Sequence, residues 1–238
     1  MRRPAILSAA ALLAGCAGGP PTGGPPPERL GEALVLFSAD DALERRWRVG
    51  RTWGEIDWGL AVLDGDVAIR AAAAGDSGGL ARYVEIDPEI CPVVEWTWRV
   101  DALPAAADLA SDAAEDMAAS IFFAFGDPGS LTLPRPVPTL RYVWATEANP
   151  AESVVESPYF PVIRSLVVRS GAEGLGRTVT ERRDLAADFE AAFGRPPDGP
   201  VEMIALYTDS DHGETPVEAW YLGARALCSE APVEDLIL

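Results

Sequence analysis

The chain has 238 residues, enough for one domain with a sizeable core or two small ones. Its 19 basic residues, every one an arginine, face 37 acidic ones and leave a net charge of −18. No basic stripe is available to neutralise phosphates, so nucleic acid is excluded as the default partner, and the same field repels anionic polymers.

Arg2 and Arg3 form a short basic region, an apolar stretch runs from Ala5 to Ala14, and Leu13-Ala14-Gly15-Cys16 closes it. This is the pattern of a bacterial lipoprotein signal, in which residues 1–15 are removed and the new N-terminal cysteine, Cys16, is acylated. The apolar run is too short to span a bilayer. The expected product is anchored to the membrane by lipid on the periplasmic face of the cell envelope. Ala17 and Gly18, with no aspartate after the cysteine, favour the outer membrane. Residues 16–30 read as the lipidated cysteine and a Gly/Pro-rich tether, and residues 31–238 as one domain.

Within that domain a period of two dominates. Residues 60–71 read as a hairpin turning at Asp64-Gly65, and 80–86 as a strand with Leu80, Val84 and Ile86 on one face. The clearest strand is 93–100, with Val94, Trp96, Trp98 and Val100 on one side and Glu95, Thr97 and Arg99 on the other. Residues 105–118, rich in alanine and acid, read as a loop with room for a short helix. Strands are then predicted at 120–125, 140–145, 163–169, 176–182, 202–208 and 217–227. A short helix over 184–193 opens on an Asp184 cap and stacks Leu185, Phe189 and Phe193 on one face. About ten short strands without βαβ alternation predict an all-β fold, a single β-sandwich with one or two short helices.

Several of these stretches together resemble the bacterial domain-of-unknown-function family 3047. They are VVEWTWRVDALP (93–104), DAAEDMAASIFFAFG (112–126), LRYVWA (140–145), YFPVIRSLVVRSG (159–171), ERRDLAADFEAAFGRPP (181–197) and IALYTDSDHGETPVEAWYLGARAL (204–227). The resemblance implies an exported jelly-roll sandwich akin to carbohydrate-binding modules and names no activity. Family sequences usually carry Asn where this chain has His212, and Gly-Asp-Asp where it has Ala114-Glu115-Asp116. If those positions hold a ligand or metal, the first change is the one that weakens the site.

Candidate chemistry is sparse. Asp209, Asp211 and Glu214 lie in TDSDHGET, where alternate acids converge oxygens on a hard cation or cap local amides. Jelly-roll modules commonly hold a structural calcium ion, an analogy that favours a cation at that turn. Asp112, Glu115 and Asp116, just before the 120–125 strand, meet a metal or a sugar hydroxyl or form a solvated acidic loop, with Asp116 counted among the metal candidates. The spacing does not fit the calcium loop of EF-hands. Trp53 and Trp58 flank Gly54-Glu55-Ile56-Asp57 as a sugar platform or as core. Arg183 is a candidate ligand-binding residue or an ion-pair partner, and His212, the single histidine, is a ligand, a base or a turn residue. Cys91 and Cys228 suit a disulfide or buried free thiols equally well. There is no GxSxG elbow, phosphate loop or zinc spacing, so no catalytic residue is assigned. The expected role is a membrane-anchored envelope module binding a glycan or peptidoglycan-type ligand. The alternatives are a protein-interaction or assembly subunit and a glycan hydrolase using paired carboxylates.

Overall fold

The computed structural model describes residues 29–30, 33–39, 46–130 and 133–229. Cys16, the expected leader and most of the expected tether lie outside the described residues. Sixteen strands run in chain order: β1 (Arg29–Leu30), β2 (Ala33–Ser38), β3 (Arg48–Trp53), β4 (Asp57–Leu63), β5 (Asp66–Ala73), β6 (Ser77–Ile86), β7 (Val93–Ala102), β8 (Met117–Phe125), β9 (Gly129–Ser130), β10 (Leu133–Pro134), β11 (Thr139–Ala145), β12 (Val154–Glu156), β13 (Ile163–Ser170), β14 (Val179–Asp184), β15 (Val201–Asp209) and β16 (Val217–Leu227). The helix α1 (Leu185–Phe193) follows β14.

The strands form two seven-stranded sheets and a small β9–β10 ladder. Sheet A joins β14, β7 and β16, and on its far side β16 pairs with both β2 and β5, which carry β1 and β4 at the margins. Sheet B has the order β12-β13-β11-β8-β15-β6-β3, antiparallel except for the parallel β11–β13 pair. The fold is a two-sheet β-sandwich of jelly-roll type. No described helix is long and apolar enough to cross a membrane.

Alternation explains the core. Val94, Trp96, Trp98 and Val100 are all 1% exposed or less, and Leu80, Val84 and Ile86 join them between the sheets. Trp96 stacks on Tyr142 of the opposite sheet with ring centroids 4.9 Å apart. The predicted hairpin turns at Asp64-Gly65, where φ of 53° and 101° puts both residues in the left-handed region of a tight two-residue turn. The predicted helix stands as well: Asp184 Oδ1 accepts from the Ala187 N–H at 2.9 Å, capping α1.

One open reading resolves, one boundary shifts and two strands are new. Residues 105–116 carry hydrogen-bonded turns and no helix, because a run of alanine and acid offers no wide apolar stripe to bury. The strand expected at 176–182 is β14, Val179–Asp184, since Gly174, Gly176 and Arg177 are spent in a turn that closes on Val100. β2 and β3 went unpredicted, because short apolar runs beside acidic and arginine-rich stretches give a weak period.

The centre of sheet B is buried on both faces. Every residue of β8, β11 and β15 is buried apart from the half-buried Glu202. Its outward residues Phe122, Val143, Val167, Met203, Ala205 and Tyr207 form a second apolar cluster with Leu109. The 103–116 and 146–162 segments supply part of that cover: Leu109 and Phe160 pack into the cluster, and Asn149 Oδ1 accepts from the Leu109 N–H at 2.9 Å.

Candidate functional site

An antiparallel register creates the site. Asp209 ends β15 opposite Met117, the first residue of β8, and opposite Ser77, the first residue of β6. The segment entering β8 therefore lies beside the turn leaving β15. Asp116 spans the gap: its Oδ1 accepts from the His212 backbone N–H at 3.1 Å and its Oδ2 from that of Gly213 at 2.7 Å. Ser77 donates to Asp211 Oδ2 at 2.8 Å. One atom each from Asp116, Asp209, Asp211 and His212 lies within 4.8 Å of the others.

The group is deeply set. Asp116 and Asp209 are each 3% exposed, and the His212 side chain is 13% exposed. Burial, and then the charges of Asp211 and Asp116, push the Asp209 carboxyl well above the ordinary carboxylate range. His212 carries the compensating charge. Its Nδ1 stands 2.9 Å from Asp211 Oδ1 and 3.2 Å from Asp116 Oδ1. These contacts, Asp116 first, raise its pKa to about 10. Its Nε2 lies 3.1 Å from the Tyr159 hydroxyl. Burial and surrounding acids push that phenol up to about 12. Beneath them Glu115 and Arg141 form a buried ion pair of 2.6 Å, with side chains 4% and 1% exposed, and Ser165 Oγ accepts from Arg141 Nε at 2.8 Å.

The predicted residues thus divide. Asp116, Asp209, Asp211 and His212 come together. Glu214 stands outside the cluster: it is exposed, with φ of 50°, and its backbone N–H closes the turn on the Ser210 carbonyl at 3.0 Å. Arg183 is far from the cluster and already engaged: its guanidinium grips Asp188 with two contacts of 2.8 Å and also meets Glu152. Asp188 in turn accepts the Tyr142 hydroxyl at 2.9 Å, so Arg183 ties β14 and α1 to the core. Trp58 is half-buried against the core, 6.4 Å from Tyr221, and its Nε1 has no hydrogen-bond partner among the described residues. It edges a cavity of about 200 Å³ with Glu55, Val49 and Ser77. The Trp53 side chain lies outside the described residues. Cys91 and Cys228 form a disulfide.

Tyr159 and Arg141 were missed. Arg141 had a signal, since a charge in the outward row of a strand as apolar as LRYVWA demands a buried partner. Tyr159 sits in SPYFP, a loop whose aromatic pair gives no period.

The sequence model of the family described as a protein of unknown function, DUF3047, matches residues 45–224. The chain belongs to that family. No curated protein matches it. Among solved structures, this DUF3047 chain is similar to the family 11 carbohydrate-binding module of a cellulosomal cellulase of Clostridium thermocellum, at 7% identity and a TM-score of 0.45, over 85% of this chain and 97% of that one. It is also similar to the xyloglucanase domain of a type three effector from Sinorhizobium fredii, at 6% identity and a TM-score of 0.42, over 77% and 94%. A xylan-binding domain from Paenibacillus barcinonensis gives 9% identity and a TM-score of 0.37, over 84% and 99%.

Proposed function

We propose that this chain is a non-catalytic binding module, held to the envelope by lipid on Cys16, whose ligand is a glycan-type polyhydroxylated compound met at the acidic end of sheet B. The observation that carries the reading is the convergence of Asp116, Asp209, Asp211 and His212 within 4.8 Å. Carboxylates gathered this way accept hydrogen bonds from hydroxyl groups directly, or hold a divalent cation that coordinates hydroxyl oxygens.

The donor set fits a cation in part. Three carboxylates supply the hard oxygens that calcium takes, whereas the imidazole suits zinc or manganese better. Asp116, Asp209 and Asp211 would hold the ion, whose charge would replace the proton on His212 and relieve the burial of Asp209. Hydrolysis is less favoured, because these acids crowd closer than the roughly 5 to 9 Å at which paired carboxylates flank a glycosidic bond.

The Cys91–Cys228 bridge supports export, since disulfides persist in oxidising compartments. Together with the leader this favours the periplasmic face, and Ala17-Gly18 favours the outer membrane. One observation favours an assembly subunit instead: Leu60, Val62 and Val67 at the β4–β5 hairpin are 47%, 71% and 40% exposed.

Thermal unfolding with calcium, manganese or chelator tests the cation, and a glycan array then tests the ligand. A midpoint that rises with calcium and no longer does so after Asp209→Asn and Asp211→Asn supports the reading; no response to any ion removes the cation from it. Cys16→Ser should move the protein from the membrane to the soluble fraction.

A further inference from the structure

Strand β16 changes partners at Gly223. Residues 217–221 pair with β5 and 223–227 with β2, while β7 runs along the other side. Register shifts fall on both sides of the exchange, between Tyr221 and Gly223 against β7 and between Ala224 and Arg225 against β2. Where one partner leaves and the other arrives, the outward surface of sheet A drops into a furrow of about 660 Å³. Gly223 lies along it, and a Cβ there would stand 3.2 Å from the Phe37 carbonyl oxygen.

Thr97 and Thr180 line the furrow with hydroxyls 2.8 Å apart. Only one of the two protons serves that contact, so the pair retains further donor and acceptor capacity for a ligand. Glu95 is held by Arg225 at 2.6 Å and by Arg182 at 2.6 Å. Val35, Val67 and Leu222 give the furrow apolar stretches. Its acids, Asp66 and Glu95, are balanced by Arg225 and the adjoining Arg182.

We infer that this furrow binds a neutral polysaccharide strand laid across β14, β7 and β16. The volume lies in the range of about 300 to 1,000 Å³ usual for small-ligand sites. Hydroxyls and fixed charges match sugar hydroxyls, and the aliphatic stretches match the C–H faces of the rings. Local charges cancel within a chain of −18, so a polyanion gains no local attraction and meets long-range repulsion. Among the described residues the centre of sheet B's outer face is closed by its own apolar cluster, whereas the furrow on sheet A is open. The site is separate from the acidic end and stands or falls independently of it.

Calorimetric titration of the full chain in detergent with neutral β-1,4-linked hexasaccharides of glucose, xylose and N-acetylglucosamine, and with oligogalacturonate as the charged comparison, decides the matter. At least one neutral hexasaccharide should bind with a dissociation constant below about 1 mM. The paired substitution Thr97→Val and Thr180→Val, which keeps bulk and strand preference, should weaken it about tenfold or more. Thr180→Trp, at an exposed position, should block it with an unchanged melting midpoint. Asp209→Asn with Asp211→Asn should leave it intact. Failure of every neutral probe, binding of oligogalacturonate alone, or loss of binding with the acidic-end variant but not with the threonine variants overturns the inference.

Discussion

The Tyr159 hydroxyl accepts a hydrogen bond from His212 because its own hydrogen is already donated elsewhere. The phenol donates to the Asp112 carbonyl oxygen, so its oxygen must accept from His212 Nε2. On the other side of the ring, Nδ1 meets only carboxylate oxygens of Asp116 and Asp211. Both ring nitrogens therefore carry hydrogens, and the imidazolium ties the turn after β15 to the lead of β8 and the 157–160 loop.

In chelated protein this makes stability fall with rising pH. The folded pKa of His212, about 10, exceeds its ordinary value of 6.5, so its contribution is complete below 6.5 and is lost as pH climbs toward 10. His212→Asn should flatten the slope of melting midpoint against pH between 7 and 10. Asp209→Asn is the companion variant, since the raised pKa of Asp209 moves stability in the same direction.

Asp209→Asn should also change sign with conditions. With a chelator present it removes a carboxyl whose charged form is disfavoured by burial and by Asp211 and Asp116, and should stabilise the fold. With a bound cation it removes a ligand and should destabilise it. Parallel melts with and without calcium or manganese read both arms, and an effect of one sign throughout contradicts the cation.

Arg141 and Glu115 are each other's support under the loops. Arg141→Met should cost about 3–5 kcal/mol, because it strands a buried carboxylate. Replacing both, with Glu115→Leu, should cost clearly less than the single change. Urea unfolding of the two singles and the double gives the comparison.

The Cys91–Cys228 bridge joins positions 137 residues apart and fastens the end of β16 to the segment before β7. Cys91→Ser with Cys228→Ser should lower stability by about 2–5 kcal/mol, and reductant should do the same to the parent. Unfolding curves with and without reductant measure it.

Much of the fold was legible because the long strands bury one face cleanly, as Trp96 and Trp98 do against the facing sheet. Edge and two-faced strands were harder. β8 is apolar on both sides, so its alternation vanishes, and β3 is short and carries arginines. The acidic end was half legible. Asp209, Asp211 and Asp116 stood out as acids beside strand ends, but their meeting depends on the β8–β15 register, which no local spacing encodes. Glu214 lies outside the cluster for the converse reason: its place in the motif is right, yet the turn leaves it exposed.

Strand β16 has a consequence for how the chain is made. In sheet A the pairs β4–β5, β1–β2 and β7–β14 are joined to one another only through β16, the last described strand. Until residues 217–227 have left the ribosome, half of the sandwich has no spine on which to assemble. A chain of this design completes sheet A only when β16 is in place, so the partial pairs made earlier each keep an unpaired edge until then.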